Sequence, residues 1–180
     1  ASGEALPAQQ DALTITGHAF EARLYAEDVP AGFLPATGTL TQLEFTPQTR
    51  ADSGVRAGDT ISPFYDPMIA KVIVHGANRD VALAKLRAAL AGCQVAGTVT
   101  NLAFLGALAG HQGFGAGDVD TGLIARDIDA LTAPPQVEAR HWAQAGMAVL
   151  GLTNAQPEMG FTLWKPLQRQ VMMARDGEEK

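Results

Sequence analysis

The segment DSGVRAGDTISPFYDPMIAKVIVHG, residues 52–76, combines turn chemistry with a buried strand. Arg56-Ala57-Gly58-Asp59 predicts a β-turn, because glycine accepts a positive φ and aspartate bonds to nearby backbone. Two prolines within Ser62–Pro67 remove backbone donors and restrict the residues before them, which excludes a helix there. The apolar, β-branched segment Met68–Val74, whose sole charge is Lys71, predicts a strand that is buried on at least one face.

Length and composition indicate a folded chain with an ordinary core. The 180 residues fit one domain plus an appendage. A hydrophobic share of 47% with a charged share of 18% excludes disorder over most of the length. The net charge of −6, with scattered basic residues, argues against a nucleic-acid partner. The sequence has no apolar run of about 18 residues, so we expect no membrane partner.

Strands lead into this segment and helices follow it. We predict a strand over Ile15–Tyr25 in which an apolar face, His18, Phe20, Ala22 and Leu24, alternates with Ala19, Glu21, Arg23 and Tyr25. Thr37–Phe45 predicts a second strand or strand pair. Helices are expected from the N-cap Asn78 to Ala91, with Val81, Ala84, Leu86 and Leu90 mostly on one face, and over Asn101–Gly110, Thr121–Leu131 and Val137–Leu150. New strands are expected from Phe161 onward.

Motifs for hydrolytic, metal or phosphate chemistry do not occur in recognisable form. The four histidines lack metal-ligand spacing. Gly113–Asp118 lacks the Lys and Ser/Thr of a P-loop and predicts a flexible connector. Cys93 is the single cysteine, which indicates a reduced compartment and a small buried thiol. We therefore predict no metal site in this chain.

The most suggestive pair is Glu21 and Arg23, which share one face of the first strand. An arginine held by a carboxylate presents a fixed fork to an anion or oxyanion. The spacing alone favours the simpler alternative, a solvated ion pair on an exposed sheet face. Glu27-Asp28 precedes a proline and is best explained as turn chemistry. Asp66 could hold a turn, and Lys71 is expected to face solvent or pair with an acid.

Five linked motifs together indicate a resemblance to a known family. They are GHAFEARLYAED (17–28), GFLPATGTL (32–40), the segment 52–76, VAGTVTNLAFL (95–105) and GDVDTGLI (117–124). Together and in this order they closely resemble the C-terminal domain of biotin carboxylase. The resemblance implies an α+β fold with a mostly antiparallel sheet and packed helices over residues 1–132. Residues 133–180 are more weakly similar to the linker helix and first strands of a carboxyltransferase-binding β domain.

The resemblance also implies a reaction, the ATP- and bicarbonate-dependent carboxylation of biotin by a ligase. Arg23 matches the family arginine that faces biotin and bicarbonate, where it would stabilise an oxyanion on the ureido carbonyl. Glu21 would orient that arginine. Arg50 and Asp66 fall where biotin carboxylase dimers make or support their subunit contact, so we expect an oligomer. Implied cofactors are biotin, ATP and Mg²⁺.

Several expectations concern the rest of the polypeptide. The ATP-grasp domain should precede Ala1, the biotin carrier domain should follow Lys180, and a carboxyltransferase beta subunit should be a partner. The Asp176-Gly177 hairpin signal comes so late that we expect its returning strand to be missing. The isolated chain should be inactive.

Among acyl-CoA carboxylases, the motifs resemble those of the alpha subunit of 3-methylcrotonyl-CoA carboxylase, an enzyme of leucine degradation. Propionyl-CoA, geranyl-CoA and urea carboxylases share these motifs and stay open as alternatives. A non-catalytic interdomain or dimerisation module is an alternative of another class. The expected location is the cytoplasm, or the mitochondrial matrix in a eukaryote.

Overall fold

Residues 2–134, 136–152, 170–175 and 178–179 are described by the computed structural model. The chain divides into two units, Ala1–Ala133 and Pro134–Lys180. After a 3-10 turn at Gln10–Ala12, the strands of the first unit are β1 (His18–Tyr25), β2 (Glu27–Asp28), β3 (Leu34–Pro35), β4 (Gly38–Thr39), β5 (Gln42–Glu44), β6 (Arg50–Ser53), β7 (Thr60–Ile61), β8 (Met68–Gly76) and β9 (Gln94–Ala96). Its helices are α1 (Arg79–Gly92), α2 (Leu102–Gly110), α3 (Gln112–Ala116), α4 (Leu123–Arg126) and α5 (Ile128–Thr132).

The main sheet is antiparallel, with the strand order β1-β8-β6. The remaining short strands form the antiparallel pairs β2-β3, β4-β7 and β5-β9. Mixed helices and antiparallel strands confirm the predicted α+β class. The first strand begins at His18, later than the predicted Ile15, because Gly17 adopts a φ of +70° and breaks the extended backbone. A side chain at Gly17 would collide with the carbonyl of Gly76 and the ring of His75.

The predicted alternation of β1 is confirmed. Ala22 and Leu24 are buried, whereas Glu21 and Arg23 are exposed on the opposite face. The inner face packs against α1 in one cluster and against the short strand pairs in a second, which contains Leu24, Leu40 and Ile69. The strand predicted over Met68–Val74 is present and is buried at Ile69, Ala70, Val72 and Val74, whereas Met68 and Ile73 are partly buried.

Helix α1 starts as predicted, because the side-chain Oδ1 of Asn78 accepts a hydrogen bond from the Val81 N–H at 2.9 Å. The predicted face is wrong in part. Val81 is 41% exposed, and Ala84 is exposed as well. The buried face is Ala82, Leu83, Leu86, Ala89 and Leu90. The true apolar stripe follows positions separated by three and four residues from Leu86, and Val81 lies one residue outside it.

The turn at Arg56–Asp59 is confirmed. The Asp59 N–H donates to the Arg56 carbonyl at 3.1 Å, and Gly58 has a φ of +94° at the third turn position, as a type II turn requires. The proline-containing corner that follows is not helical, which also agrees with prediction.

Two predictions after α2 are wrong. Gly113–Asp118 is not a loop throughout, since α3 occupies Gln112–Ala116, with the His111 Nδ1 accepting from the Phe114 N–H at 3.3 Å as its cap. The single helix predicted over Thr121–Leu131 is two short helices, α4 and α5. They separate at Asp127, where the backbone leaves the helical region and the side chain contacts His111 Nε2 at 3.2 Å.

In the second unit, helix α6 (Ala139–Val149) confirms the helix predicted over Val137–Leu150. Strands β10 (Ala174–Arg175) and β11 (Glu178–Glu179) pair antiparallel, so the expectation of a missing returning strand is wrong. The strand predicted to begin at Phe161 falls outside the described residues. Within the described ranges, no helix has both the length and the apolar character that crossing a membrane requires.

Candidate functional site: a charged sheet face

The exposed face of the main sheet brings together residues from all three of its strands. Arg23 on β1 and Asp52 on β6 both lie directly opposite Lys71 on β8. In the neighbouring row, Glu21 and Arg50 both lie opposite Ile73. Directly opposed residues of antiparallel strands share a face and interact. The register therefore gathers five charged side chains on one surface.

These five side chains form a continuous alternation of charge, which we call the charge ladder: Arg23, Glu21, Lys71, Asp52 and Arg50. Lys71 is its centre. The Lys71 Nζ lies 4.0 Å from Glu21 Oε2 and 3.5 Å from Asp52 Oδ2. This confirms the expectation that Lys71 pairs with an acid, and the ladder carries one excess positive charge.

Arg23 ends the ladder on β1. Its Nε donates to Glu21 Oε1 at 3.2 Å, and its side chain is 62% exposed against 38% for Glu21. Hydrogen bonding to Glu21, followed by that to Tyr25, raises the pKa of Arg23 above its already high ordinary value. The guanidinium is therefore a permanent cation. Because Glu21 binds at Nε and the side chain as a whole is 62% exposed, the guanidinium remains accessible to an anion.

Arg50 ends the ladder on β6. Its Nε and Nη2 donate to the two oxygens of Asp52, each at 3.0 Å, in a bidentate pair. Hydrogen bonding to Asp52 raises the pKa of Arg50, and hydrogen bonding to Arg50, assisted by Lys71, holds the pKa of Asp52 below its ordinary value. A cavity of about 690 Å³ adjoins Arg50, and its walls include Thr49, His75 and Lys85.

A smaller cavity, of about 350 Å³, lies beside Arg23 between β1 and α2. Its walls combine charged or polar residues with aromatic and aliphatic ones: Glu21, Arg23, Tyr25, Glu27 and Asn101, with Phe20, Phe104 and Phe114 among the apolar residues. A concave site with an apolar lining and a few polar groups is typical of small-molecule binding.

Asn101 is a residue of this region that the sequence reasoning placed only at a helix start. It is 5% exposed. Its side-chain Oδ1 accepts from the Tyr25 N–H at 2.9 Å, and its Nδ2 donates to the Arg23 carbonyl at 3.2 Å. An asparagine at the start of an apolar helix was the available signal, but it does not reveal the bond to a strand 76 residues away.

The other candidate acids lie apart from the ladder. Asp66 is exposed in the corner before β8, where its Oδ1 accepts from the Met68 N–H at 2.9 Å and holds the turn. Asp28 also serves a turn, since its Oδ1 accepts from the Ala31 N–H at 3.1 Å. Burial, and then the charge of Asp66, raises the pKa of Glu27. Asp28 thus serves a turn, as predicted, whereas Glu27 lies in the short strand β2 and lines the smaller cavity.

Cys93 is buried, and burial raises the pKa of its thiol, which disfavours the reactive thiolate. Within the part of the chain that the structure describes, no three histidine, cysteine or acidic side chains gather in a geometry that could hold a metal ion.

Comparisons with known proteins identify the family of the chain. Residues 21–126 match the family described as "Biotin carboxylase C-terminal domain". The chain is 48% identical, over 155 residues, to the mitochondrial methylcrotonoyl-CoA carboxylase subunit alpha of Oryza sativa subsp. japonica. The aligned region covers 83% of this chain and 21% of the rice protein. The matched segment thus spans only 21% and 17% of the length of the rice and Arabidopsis thaliana relatives.

Two solved structures are also similar. The biotin carboxylase domain dimer of Hydrogenobacter thermophilus 2-oxoglutarate carboxylase, in complex with MgADP, ADP and bicarbonate, has a TM-score of 0.70 and 27% identity, covering 74% of this chain and 30% of that one. Kluyveromyces lactis urea carboxylase has a TM-score of 0.61 and 38% identity, covering 64% of this chain and 10% of that one. Homologous carboxylases of this kind are ligases. The chain belongs to the family of biotin carboxylase C-terminal domains.

Proposed function

We propose that this chain is part of the biotin carboxylase component of a biotin-dependent carboxylase, and that Arg23 lines its carboxylation site. The observation that carries this proposal is the fixed cation at the edge of the charged sheet face. Glu21 holds the Nε of Arg23, whose side chain stays largely exposed beside a cavity with an apolar lining. Such an arginine is suited to hold an oxyanion that develops next to an apolar ring.

The side chains of Arg23 and Glu21 suit this role, because Arg23 is a charged hydrogen-bond donor and Glu21 holds it in place. Biotin would supply the nitrogen that accepts the carboxyl group. Arg23 would donate hydrogen bonds to the oxygen on which negative charge accumulates, and it would do so without changing its own protonation. Glu21 would keep the fork in one orientation, so that less rotational freedom is lost during the reaction. ATP and Mg²⁺ would be held by an ATP-grasp domain outside this chain.

The test is Arg23→Ala in the complete subunit, assayed with free biotin, bicarbonate and MgATP. Loss of one oxyanion donor should lower kcat for biotin carboxylation by about 10²–10³-fold, with the KM for ATP little changed. Arg126→Ala is the matched control, because Arg126 also forms an exposed pair, with Asp120 at 2.9 Å. Full activity of the Arg23 variant would contradict the proposal.

For the acceptor, we propose 3-methylcrotonyl-CoA, and hence a role in leucine degradation with a carboxyltransferase beta subunit and a biotin carrier domain as partners. The 48% identity to the rice alpha subunit supports this choice over the urea carboxylase alternative, whose Kluyveromyces lactis member is 38% identical. The acceptor is selected outside this chain. A panel of methylcrotonyl-, propionyl- and geranyl-CoA and of urea, assayed with the complete enzyme, would separate the alternatives, and preference for any other acceptor would overturn the choice.

A non-catalytic role in subunit contact is the second candidate, and exposure of specific groups favours it. Phe64 and Tyr65 are 85% and 84% exposed next to the interface candidate Asp66, and Arg50 is exposed beside its cavity. Arg50→Glu would place a like charge beside Asp52 and should weaken self-association of the complete subunit, measured by analytical ultracentrifugation. Unchanged self-association would remove Arg50 from the proposed interface.

We further propose that the protein works in the cytoplasm or, in a eukaryote, in the mitochondrial matrix. The rice and Arabidopsis thaliana relatives are both named as mitochondrial, which supports the second location for a eukaryotic source.

A further inference from the structure

We infer that Asn101 is a positioning residue for Arg23, acting by clamping the backbone of β1 at the sheet's outer edge. This inference rests on the proposed function of Arg23. Asn101 itself does not contact the guanidinium group. Its amide brackets the peptide groups on either side of Leu24, so it sets where the Arg23 main chain lies.

The clamp consists of three hydrogen bonds. The Asn101 Nδ2 donates to the Arg23 carbonyl at 3.2 Å, its Oδ1 accepts from the Tyr25 N–H at 2.9 Å, and its own N–H donates to the Tyr25 carbonyl at 3.1 Å. A carboxamide has one donor and one acceptor end, so its side chain can replace a neighbouring strand at this edge. Asn101 is also buried, so a lost bond would leave a strand group without a partner.

The clamp lies where the regular ladder fails. The register between β1 and β8 shifts between Leu24 and Tyr25, with Leu24 opposite Ala70 and Tyr25 opposite Met68. An irregularity of this kind bends a strand and weakens its pairing, and such features often re-aim a side chain. The Asn101 bonds hold β1 from its other edge at this same point.

Arg23 is thereby held both at its guanidinium group and at its main chain. Glu21 orients the guanidinium, but that ion pair is exposed and screened by salt. Asn101 fixes the main chain from a buried position that solvent ions do not reach. Because catalysis by an oxyanion donor depends on placement within about half an ångström, both supports are needed.

The experiment uses Asn101→Ala and Asn101→Asp in the complete subunit, with free biotin as the assayed acceptor. The aspartate variant keeps the acceptor for the Tyr25 N–H and loses the donor to the Arg23 carbonyl, so it remains informative where the alanine variant folds poorly. Both should lower kcat for biotin carboxylation by about tenfold and leave the KM for ATP unchanged. Asn78→Ala is the matched control, since it removes an N-cap of α1 away from Arg23 and should leave kcat unchanged.

A double-mutant cycle separates positioning from a general structural role. If Asn101 acts through Arg23, its substitution should cause no further loss of kcat in the Arg23→Ala background. An equal loss in both backgrounds, an unchanged kcat, or failure of both Asn101 variants to fold would overturn the inference. Full activity of Arg23→Ala alone would overturn the proposed function and the inference with it. A large loss in Arg23→Ala beside wild-type activity in both Asn101 variants would overturn the inference only.

Discussion

Arg23 and Leu24 are neighbours on one strand but belong to two surfaces with different roles. Leu24 is fully buried opposite Ala70, in the cluster that contains Leu40 and Ile69. Arg23 lies opposite Lys71 on the face that bears the charge ladder. The inner face stabilises the sheet by removing apolar area from water. The outer face adds little stability, because each exposed ion pair is worth at most about 1 kcal/mol, and its value lies in fixed geometry.

The largest expected effect tests the inner face. Leu24→Ala should lower the free energy of unfolding by about 2–5 kcal/mol, since it removes buried methyl groups and leaves a cavity. Arg23→Ala should change it by less than about 0.5 kcal/mol, as surface substitutions usually do. Hydrogen exchange of β1 and β8 in the complete subunit measures both. Similar losses in the two variants would abolish the distinction between the faces.

The next effect tests the orienting role of Glu21. Glu21→Ala removes the carboxylate that binds the Arg23 Nε, and we expect kcat for biotin carboxylation to fall about tenfold. Glu21→Gln keeps an acceptor and should cause a smaller fall. Asp120→Ala, which frees Arg126 from a similar exposed pair, is the control and should leave kcat unchanged. An unchanged kcat in Glu21→Ala, or an equal fall in kcat in Asp120→Ala, would contradict this assignment.

A smaller effect is expected at the centre of the ladder. Lys71→Met keeps the length of the side chain but removes the charge between Glu21 and Asp52, so both carboxylates lose a neighbouring cation. We expect a fall in kcat of about threefold, with recovery in Lys71→Arg. Steady-state kinetics at low and high salt measures it. Failure of the arginine variant to restore kcat would show that the charge is not what matters.

The smallest expected effect is a dependence on pH at the other end of the ladder. Arg50 and Lys71 hold the pKa of Asp52 below its ordinary value of 3.8. A depressed carboxyl pKa stabilises the folded form above the unfolded value, and this contribution is lost as the pH falls through the folded value. Asp52→Asn should therefore lower hydrogen-exchange protection of β6 at about pH 6, and the difference should shrink as the pH falls below 3.8 and through the lower folded value. A difference that persists in acid would refute it.

Local features of this fold were predictable because short-range chemistry decides them. The β-turn needs a glycine at its third position, and Gly58 supplies it. Asn78 caps α1 through a bond three residues away. The alternation of β1 identified which side chains face solvent. The same reasoning failed at Val81 and over Thr121–Leu131, where packing against other elements chose the helix face and the break.

The sequence by itself determined the strand and turn order, the polar face that carries Glu21 and Arg23, and, through its linked motifs, the family. Only the tertiary structure decided which charges are neighbours. Lys71 lies between Glu21 and Asp52 because of the register of two strand pairs, and a shift of one residue would turn the side chains to the opposite face. The Asn101 clamp joins residues 76 and 78 positions apart. Local propensity does not encode such contacts, because they form only when the packed core fixes where distant segments meet.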